Sequence, residues 1–152
     1  MGTLFGRLRQ AAKDQFGQSM VELALLLPIL VFGLIGAADL ARAFALQLAI
    51  QNGARAGAEA YAINFTPTRA LAIQRAMDEM ARTPGMNVNN PMLFVDAWAL
   101  QADGTACLQP PTVANPCFVT VSIQYQFHTL VPWPLIPNTA NFDRSTTMRT
   151  FY

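Results

Sequence analysis

Charged residues are scarce in this 152-residue sequence: they make up 12% of it, whereas soluble domains usually have about 25%. The net charge is only +1 and no basic stretch is present, which excludes a free nucleic-acid-binding protein. Two cysteines, Cys107 and Cys117, are too few for a disulfide-rich scaffold or a four-ligand zinc site. The single histidine, His128, excludes a metal or catalytic cluster built from histidines. The apolar share of 53% excludes a disordered tail and predicts that part of the chain lies in lipid.

Motifs that mark enzymes are also missing. The sequence has no phosphate-binding loop, no serine-hydrolase or zinc-protease motif and no CxxC pair. Asp78 and Glu79 are adjacent, so on a helix they point in different directions and cannot work as a paired acid and base. We therefore expect no enzymatic activity, no cofactor, no metal and no small-molecule substrate.

A long apolar run dominates the first third of the chain. Residues 23–38 read LALLLPILVFGLIGAA, with no charged or hydrogen-bonding side chain. This run makes roughly 24 Å of helix and is slightly short of the ~20 residues that span a bilayer. Its flanks extend it to a predicted transmembrane helix over residues 18–41, which includes Glu22 near one end and Asp39 near the other.

The charges on either side of the run give it a direction. Arg7, Arg9 and Lys13 precede it, whereas Asp39 and Arg42 cancel each other after it. The positive-inside rule therefore predicts a cytoplasmic amino terminus and an exported domain over residues 42–152.

Export places Cys107 and Cys117 under oxidising conditions, where thiols can pair. The sequence between them, LQPPTVANP, is rich in proline and turn residues. We expect a disulfide across this loop; the alternative is two buried free thiols.

Glu22 lies at the edge of the apolar run, where an acidic side chain costs on the order of 1–3 kcal/mol. It can face the lipid headgroups as an interfacial carboxylate. Alternatively, a cut after Gly17 makes Gln18 the first residue and places its new ammonium about one helical turn from Glu22. In a packed bundle, the carboxylate of one subunit can then pair with the ammonium of a neighbour and set the axial register between the helices.

These residues resemble a known type of signal. A short basic leader, Gly17, a glutamate five places later and an apolar helix containing Pro28 look like a type IV prepilin-like signal. The run GQSMVELALLLPILVFGLIGAADLARAF more narrowly resembles the start of TadE-like proteins, which are pseudopilins of the tight-adherence (Flp) pilus assembly system. Residues 51–62 and the closing sequence, 119–137 and 145–152, are also similar to that family. The family often has a longer basic cluster before the glycine than the three scattered basic residues found here.

The resemblance implies a minor pseudopilin whose cytoplasmic leader, residues 1–17, is removed by a prepilin peptidase that cuts between Gly17 and Gln18. It implies a single-pass protein of the bacterial inner membrane with a periplasmic carboxyl-terminal domain. Other pseudopilins, the Flp pilin and an inner-membrane assembly platform are the implied partners. The implied role is assembly or initiation of the pilus and its secretion apparatus, with Glu22 as the residue that sets the register.

Two other fates of the amino terminus stay open. An uncleaved leader would leave a membrane-anchored periplasmic interaction module of an envelope secretion complex, beginning at Met1. Gly36, Ala37 and Ala38 also fit the cleavage site of an ordinary secretory signal, which would release a domain beginning at Asp39.

The exported part begins with more helix. Sequence rich in alanine and leucine continues without proline to residue 62, so we expect one helix over residues 18–62, kinked at Pro28. A polar stripe is predicted at Gln47, Gln51, Arg55 and Glu59, and an apolar stripe at Leu40, Phe44, Leu48 and Ala49. Gly53 and Gly57 pack either against the protein's own sheet or against another subunit.

The remaining elements complete an α+β fold. Thr66 and Pro67 predict the N-cap and first residue of a second helix over about residues 67–82. The pattern then changes to period two and predicts strands over residues 92–100, 119–127 and 145–152, with a turn at Asp103–Gly104. We expect a long transmembrane helix that extends into a small domain with one further helix and a three-stranded antiparallel sheet. The proline-rich loop that begins at residue 128 either covers the core edge or presents apolar side chains to a partner.

Overall fold

The computed structural model describes residues 2–63, 68–107, 111–133 and 136–150, with side chains from residue 17 onward. These residues form two helices followed by three strands: α1 Gly2–Ile63, α2 Arg69–Ala81, β1 Leu93–Gln101, β2 Cys117–His128 and β3 Thr139–Arg149. The chain divides into two compact units, residues 1–39 and residues 40–152. The predicted fold class is confirmed: a long apolar helix, a second helix and a three-stranded antiparallel sheet.

Helix α1 begins at Gly2, not at Gln18 as expected, and it continues through Pro28. Proline removes one backbone hydrogen bond from the interior of a helix, and the kink expected at Pro28 stays a prediction. The division of the chain into a leader at residues 1–17, a transmembrane segment at 18–41 and an exported domain at 42–152 also stays a prediction.

Within residues 40–152, helix α1 buries one face in the core. Leu46, Ile50, Ala54, Ala58 and Ala62 recur every fourth residue, and each is at most 3% exposed. A spacing of four places side chains on one face of a helix. Gln51, Arg55 and Glu59 are exposed, which confirms this part of the predicted polar stripe.

Most of the predicted apolar stripe lies on the exposed surface of α1. Leu40, Phe44 and Leu48 are 74%, 63% and 44% exposed, so they are not the buried face of α1, although Ala49 is buried. Hydrophobic periodicity finds apolar positions, but it does not tell which of two adjoining apolar sectors the sheet covers. The sheet and α2 cover the sector with the smaller side chains. Leu40, Phe44 and Leu48 are called the exposed stripe below.

Helix α2 begins at Arg69, two residues later than expected, with Thr68 as its N-cap. Thr68 has an extended backbone, and its Oγ1 accepts a hydrogen bond from the backbone N–H of Leu71 at 3.3 Å. Thr66 and Pro67, the expected N-cap and first residue, lie outside the described residues. The helix buries the side chains of Ala72, Ala76 and Met80.

Helices α1 and α2 meet through small residues. A Cβ atom added at Gly57 would lie 2.8 Å from the backbone oxygen of Ala72, and one at Gly53 would lie 3.0 Å from the backbone oxygen of Ala76. The same two Cβ atoms would lie 3.3 Å from methyl groups of Val121 and Ile123, respectively. The two glycines therefore pack inside this chain, against α2 as well as the sheet.

Strand β2 is the centre of the sheet, which has the antiparallel order β1-β2-β3. Its odd-numbered residues from Cys117 to Phe127 are all buried, so the period-two pattern predicted the buried face correctly. Polar side chains pair across β2 and β3 on the outer face: Thr120 with Thr147 at 2.8 Å, and Gln126 with Asn141 at 3.1 Å.

The turn after β1 agrees with its prediction. Gly104 has a φ of 83°, in the left-handed region that glycine enters without a Cβ penalty. Asp103 Oδ1 accepts hydrogen bonds from the hydroxyl of Thr105 at 2.7 Å and from its backbone N–H at 3.0 Å. These bonds favour the charged carboxylate, so they hold the pKa of Asp103 below its ordinary value.

Strand β3 was expected over residues 145–152 but occupies Thr139–Arg149. In the added first half, only Phe142 is buried, so the sequence there lacks a visible alternation. This half is a strand because it pairs with β2: Thr139 lies opposite His128, and Phe142 lies opposite Tyr125.

Cys107 and Cys117 are joined by a disulfide, and their Cα atoms are 5.8 Å apart. This confirms the predicted bridge and excludes the alternative of two free thiols. Cys117 is the buried first residue of β2, and its carbonyl accepts a hydrogen bond from the backbone N–H of Thr150 at 2.9 Å. The bridge therefore fastens the chain beyond β1 to one end of the central strand.

Candidate functional site

Gly17, Gln18 and Glu22 lie on the continuous helix α1, and all three are exposed. Gln18 Nε2 donates a hydrogen bond to Glu22 Oε1 at 3.3 Å, as expected for side chains four residues apart on a helix. A Cβ added at Gly17 would meet nothing within 4 Å among the described residues. The Gly17–Gln18 bond and the Glu22 carboxylate are thus open to a partner.

The part of α1 from Met20 to Leu34 exposes apolar side chains on all of its faces. Eleven large apolar residues from Met20 to Leu34 are between 45% and 72% exposed. Removing one such side chain from water stabilises by about 1.5–3 kcal/mol, so this segment needs an apolar environment. Its length and composition are sufficient to cross a membrane. The segment therefore fits a single-pass membrane protein.

Residues 39–42 follow the end of the apolar run. Asp39 is only 5% exposed. The guanidinium carbon of Arg42 lies 5.5 Å from the centre of the Phe127 ring, within the range of a cation–π contact. Phe127 in turn stacks on Phe142, with 5.8 Å between ring centres. The start of the helix in the unit of residues 40–152 is therefore fixed to the last residues of β2 and the first half of β3.

The exposed stripe is a second candidate surface, in addition to the exposed site formed by Gly17, Gln18 and Glu22. Leu40, Phe44 and Leu48 follow one another at four-residue spacing and form one apolar line on α1. Contiguous apolar surface of this kind is typical of sites that contact lipid or another protein.

The titratable side chains in the described part of the chain are candidates for metal ligands. No group of three or more histidine, cysteine, aspartate or glutamate residues there could hold a metal ion. Glu79 forms an ion pair with Arg82 at 3.1 Å, Asp78 faces solvent, and His128 is exposed at the end of β2. These groups behave as ordinary surface residues.

Comparison with known families identifies the first third of the chain. The family model for TadE-like proteins matches residues 17–59. Residues 17–59 are therefore similar to TadE-like proteins and are called the TadE-like segment below. The match confirms the resemblance found in the sequence of this segment and includes Gly17, Gln18, Glu22 and Pro28. The similarity of residues 119–137 and 145–152 to the same family lies outside the match and stays a prediction. Comparisons with curated proteins and with solved structures gave no match.

Both candidate surfaces belong to the TadE-like segment. It begins at the glycine of the predicted cut, includes the apolar helix and the exposed stripe, and ends one residue beyond the buried Ala58. Two contacts of the chain were not predicted: Arg42, within this segment, with Phe127, and an ion pair of 2.7 Å between Arg69 and Asp96 outside it. Each joins residues that are distant in sequence, and no local pattern marks either pair.

Proposed function

We propose that this TadE-like protein is a minor pseudopilin that a prepilin peptidase matures and that acts in the assembly or initiation of a Flp pilus and its secretion apparatus. The TadE-like segment ties the chain to pilus assembly, which is a structural role rather than a catalytic one. The observation that carries the finer proposal is the start of that segment: the match begins at Gly17, directly before the proposed cut, and continues through Glu22 into the apolar helix.

The local structure suits cleavage after Gly17. A peptidase needs the scissile bond in an extended form, so the helix must open there. Glycine weakens a helix by about 1 kcal/mol relative to alanine, and no described side chain packs near Gly17. Arg7, Arg9 and Lys13 would keep this bond on the cytoplasmic side of the inner membrane, with residues 42–152 in the periplasm.

Glu22 would act after the cut. Cleavage turns the backbone nitrogen of Gln18 into an ammonium, and the exposed Glu22 carboxylate is free to meet the ammonium of a neighbouring subunit. Two unit charges 4 Å apart attract by about 4 kcal/mol at an effective dielectric constant near 20. A bundle shifted by one helical turn would lose this attraction and leave both charges in an apolar setting. The pair would thus select one register between the helices of the pseudopilins and the pilin on the inner-membrane platform.

Cleavage is tested by the intact mass of the protein isolated from membranes of a host that contains its prepilin peptidase. The proposal expects a chain that begins at Gln18. A chain that begins at Met1 would instead support the uncleaved interaction module, and one that begins at Asp39 would support a secreted domain. Gly17→Ala should slow maturation, because the added methyl group meets no packed atom and acts only at the peptidase. Gly33→Ala is the matched control, since its Cβ also has open space, and it should mature normally.

Assembly is tested with Glu22→Ala. This variant should be cut as the wild type is, but it should lose co-isolation with the other pseudopilins and support fewer pili. Glu59→Ala removes an exposed glutamate from the same helix, outside the apolar run, and should leave assembly intact. Normal assembly of Glu22→Ala would refute the register argument without affecting the cleavage proposal.

A further inference from the structure

The loop between β2 and β3, residues 129–138, carries apolar side chains that the core does not absorb. Leu130 and Ile136 are 60% and 62% exposed, and Trp133 is half-buried. The loop contains no charged residue, and the first charge after it is Asp143. Pro134 and Leu135 lie outside the described residues.

Hydrogen bonds hold the described parts of this loop in place. The backbone N–H of Thr129 donates to the carbonyl of Asn138 at 3.0 Å, which extends the β2–β3 ladder by one rung. The side-chain oxygen of Asn138 accepts from the backbone N–H of Trp133 at 2.6 Å, and the Thr129 hydroxyl donates to the carbonyl of Val131 at 2.9 Å. These bonds hold the loop backbone at Thr129, Trp133 and Asn138.

The position of the loop follows from how β2 runs along α1. Gly57 lies beside Val121, Gly53 beside Ile123, and Arg42 beside Phe127. The strand thus runs antiparallel to the helix, and its last residues point toward the helix positions nearest the apolar run.

The lengths of strand and helix place the loop level with Leu40, the first residue of the unit of residues 40–152. Leu130 is seven residues beyond Ile123, or about 23 Å of strand. Leu40 is thirteen residues before Gly53, or about 20 Å of helix. The loop therefore reaches the level of Leu40, which in the sequence follows the end of the apolar run at Ala38 by two residues.

We propose that the β2–β3 loop, through Leu130, Trp133 and Ile136, rests in the interfacial layer of the lipid bilayer. The proposal rests on the membrane anchorage that is part of the proposed function. Tryptophan and apolar side chains in a segment that has no charged residue are typical of this layer. A bilayer contact explains why apolar side chains are exposed at this end of the sheet, next to Arg42.

Tryptophan quenching in vesicles tests the contact. The full chain is placed in vesicles of phosphatidylcholine and phosphatidylglycerol, with bromine on the acyl chains either near the ester or near the chain end. Trp98 and Trp133 are replaced by phenylalanine, and one tryptophan is introduced at a time: Leu130→Trp in the loop, Val113→Trp as the matched control, or Phe32→Trp in the apolar run. Val113 is 73% exposed and lies in the segment that precedes Cys117, at the opposite end of β2.

The proposal expects Leu130→Trp to lose most of its emission to bromine near the ester, while Val113→Trp keeps its emission and is quenched by iodide in the water. Phe32→Trp should be quenched most by bromine near the chain end. Quenching of Phe32→Trp without quenching of Leu130→Trp would overturn the loop contact and leave the anchorage intact. Absence of quenching at Phe32→Trp would overturn the anchorage itself. Equal quenching at positions 113 and 130 would also overturn the proposal, because the contact would not be specific to the loop.

Trp98→Phe alone allows a second quenching measurement, on native Trp133, that leaves the loop sequence unchanged. Native Trp133 should then be quenched by bromine near the ester, and the further changes Leu130→Ser and Ile136→Ser should weaken that quenching. Emission from Trp133 that does not respond to either brominated lipid would contradict the proposal.

Discussion

A methyl group added at position 57 has no room between α1, α2 and β2. The new Cβ would lie 2.8 Å from the backbone oxygen of Ala72, 3.1 Å from Cβ of Ala76 and 3.3 Å from Cγ1 of Val121. Two of these three atoms belong to backbone or to alanine, so no flexible side chain can move away. The helices must separate, or α2 must shift along α1.

The expected cost of Gly57→Ala is the difference between two effects. Overpacking a core typically costs about 1–3 kcal/mol. Alanine stabilises a helix relative to glycine by about 0.8–1 kcal/mol. Because the closest atom is part of the backbone, we place the packing cost in the upper half of its range and expect a net loss of about 1–2 kcal/mol. For a domain of this size, that loss lowers the melting temperature by roughly 4–8 °C.

The assay is thermal unfolding of the full chain in detergent micelles, followed by near-ultraviolet circular dichroism, which reports on tertiary packing around the aromatic residues. Gly33→Ala is the control, because its Cβ would meet nothing within 4 Å. Gly53→Ala should cost less than Gly57→Ala, since its closest contact, Met80 Cγ at 2.6 Å, belongs to a flexible side chain. If Gly57→Ala melts at or above the wild-type temperature, the close α1–α2 packing described here is refuted.

Two further predictions concern the unit of residues 40–152. Replacement of Cys107 and Cys117 by serine should lower the free energy of unfolding in urea by about 2–3 kcal/mol, because the bridge restricts the unfolded chain; an equal loss on adding reductant to the wild type is the control, and no loss in either case would contradict a stabilising bridge. Asp103 should titrate below its ordinary pKa in an NMR titration, and Thr105→Val, which removes the hydroxyl donor, should raise that pKa. Because the folded pKa is the lower one, the Asp103 turn stabilises the fold above the pKa of the unfolded chain, and this stabilisation disappears as the pH falls through the folded pKa. A Thr105→Val titration identical to that of the wild type would show that the hydroxyl has no such effect.

The sequence predicted elements whose pattern is local. The alternation in residues 119–127 identified the buried face of β2, because a half-buried strand needs apolar side chains at every second position. The apolar run from Leu23 to Ala38 identified the candidate membrane helix for a similar reason. The glycine, glutamate and apolar helix that mark the TadE-like segment also follow one another directly along the chain.

The sequence was less informative where distant contacts decide the structure. The exposed stripe on α1 is as apolar as the buried face, and only the arrival of α2 and β2 distinguishes the two. The first half of β3 takes its strand form from pairing with β2, and Phe142 is its only buried side chain. The contact between Arg42 and Phe127 joins positions 85 residues apart (127 − 42 = 85), which no local pattern can predict.

The contact between α1 and β2 also limits when the domain can form. Gly57 lies next to Val121, which comes 64 residues later in the chain (121 − 57 = 64). The alanine-rich face of α1 therefore cannot be covered until the central strand β2 has been synthesised. While α2 and β1 are being synthesised, this face of α1 therefore stays uncovered. Closing so long a loop is slow and leaves apolar surface open to aggregation in the meantime. The interval before β2 is available is thus the stage of folding at which this face of α1 is most exposed to aggregation.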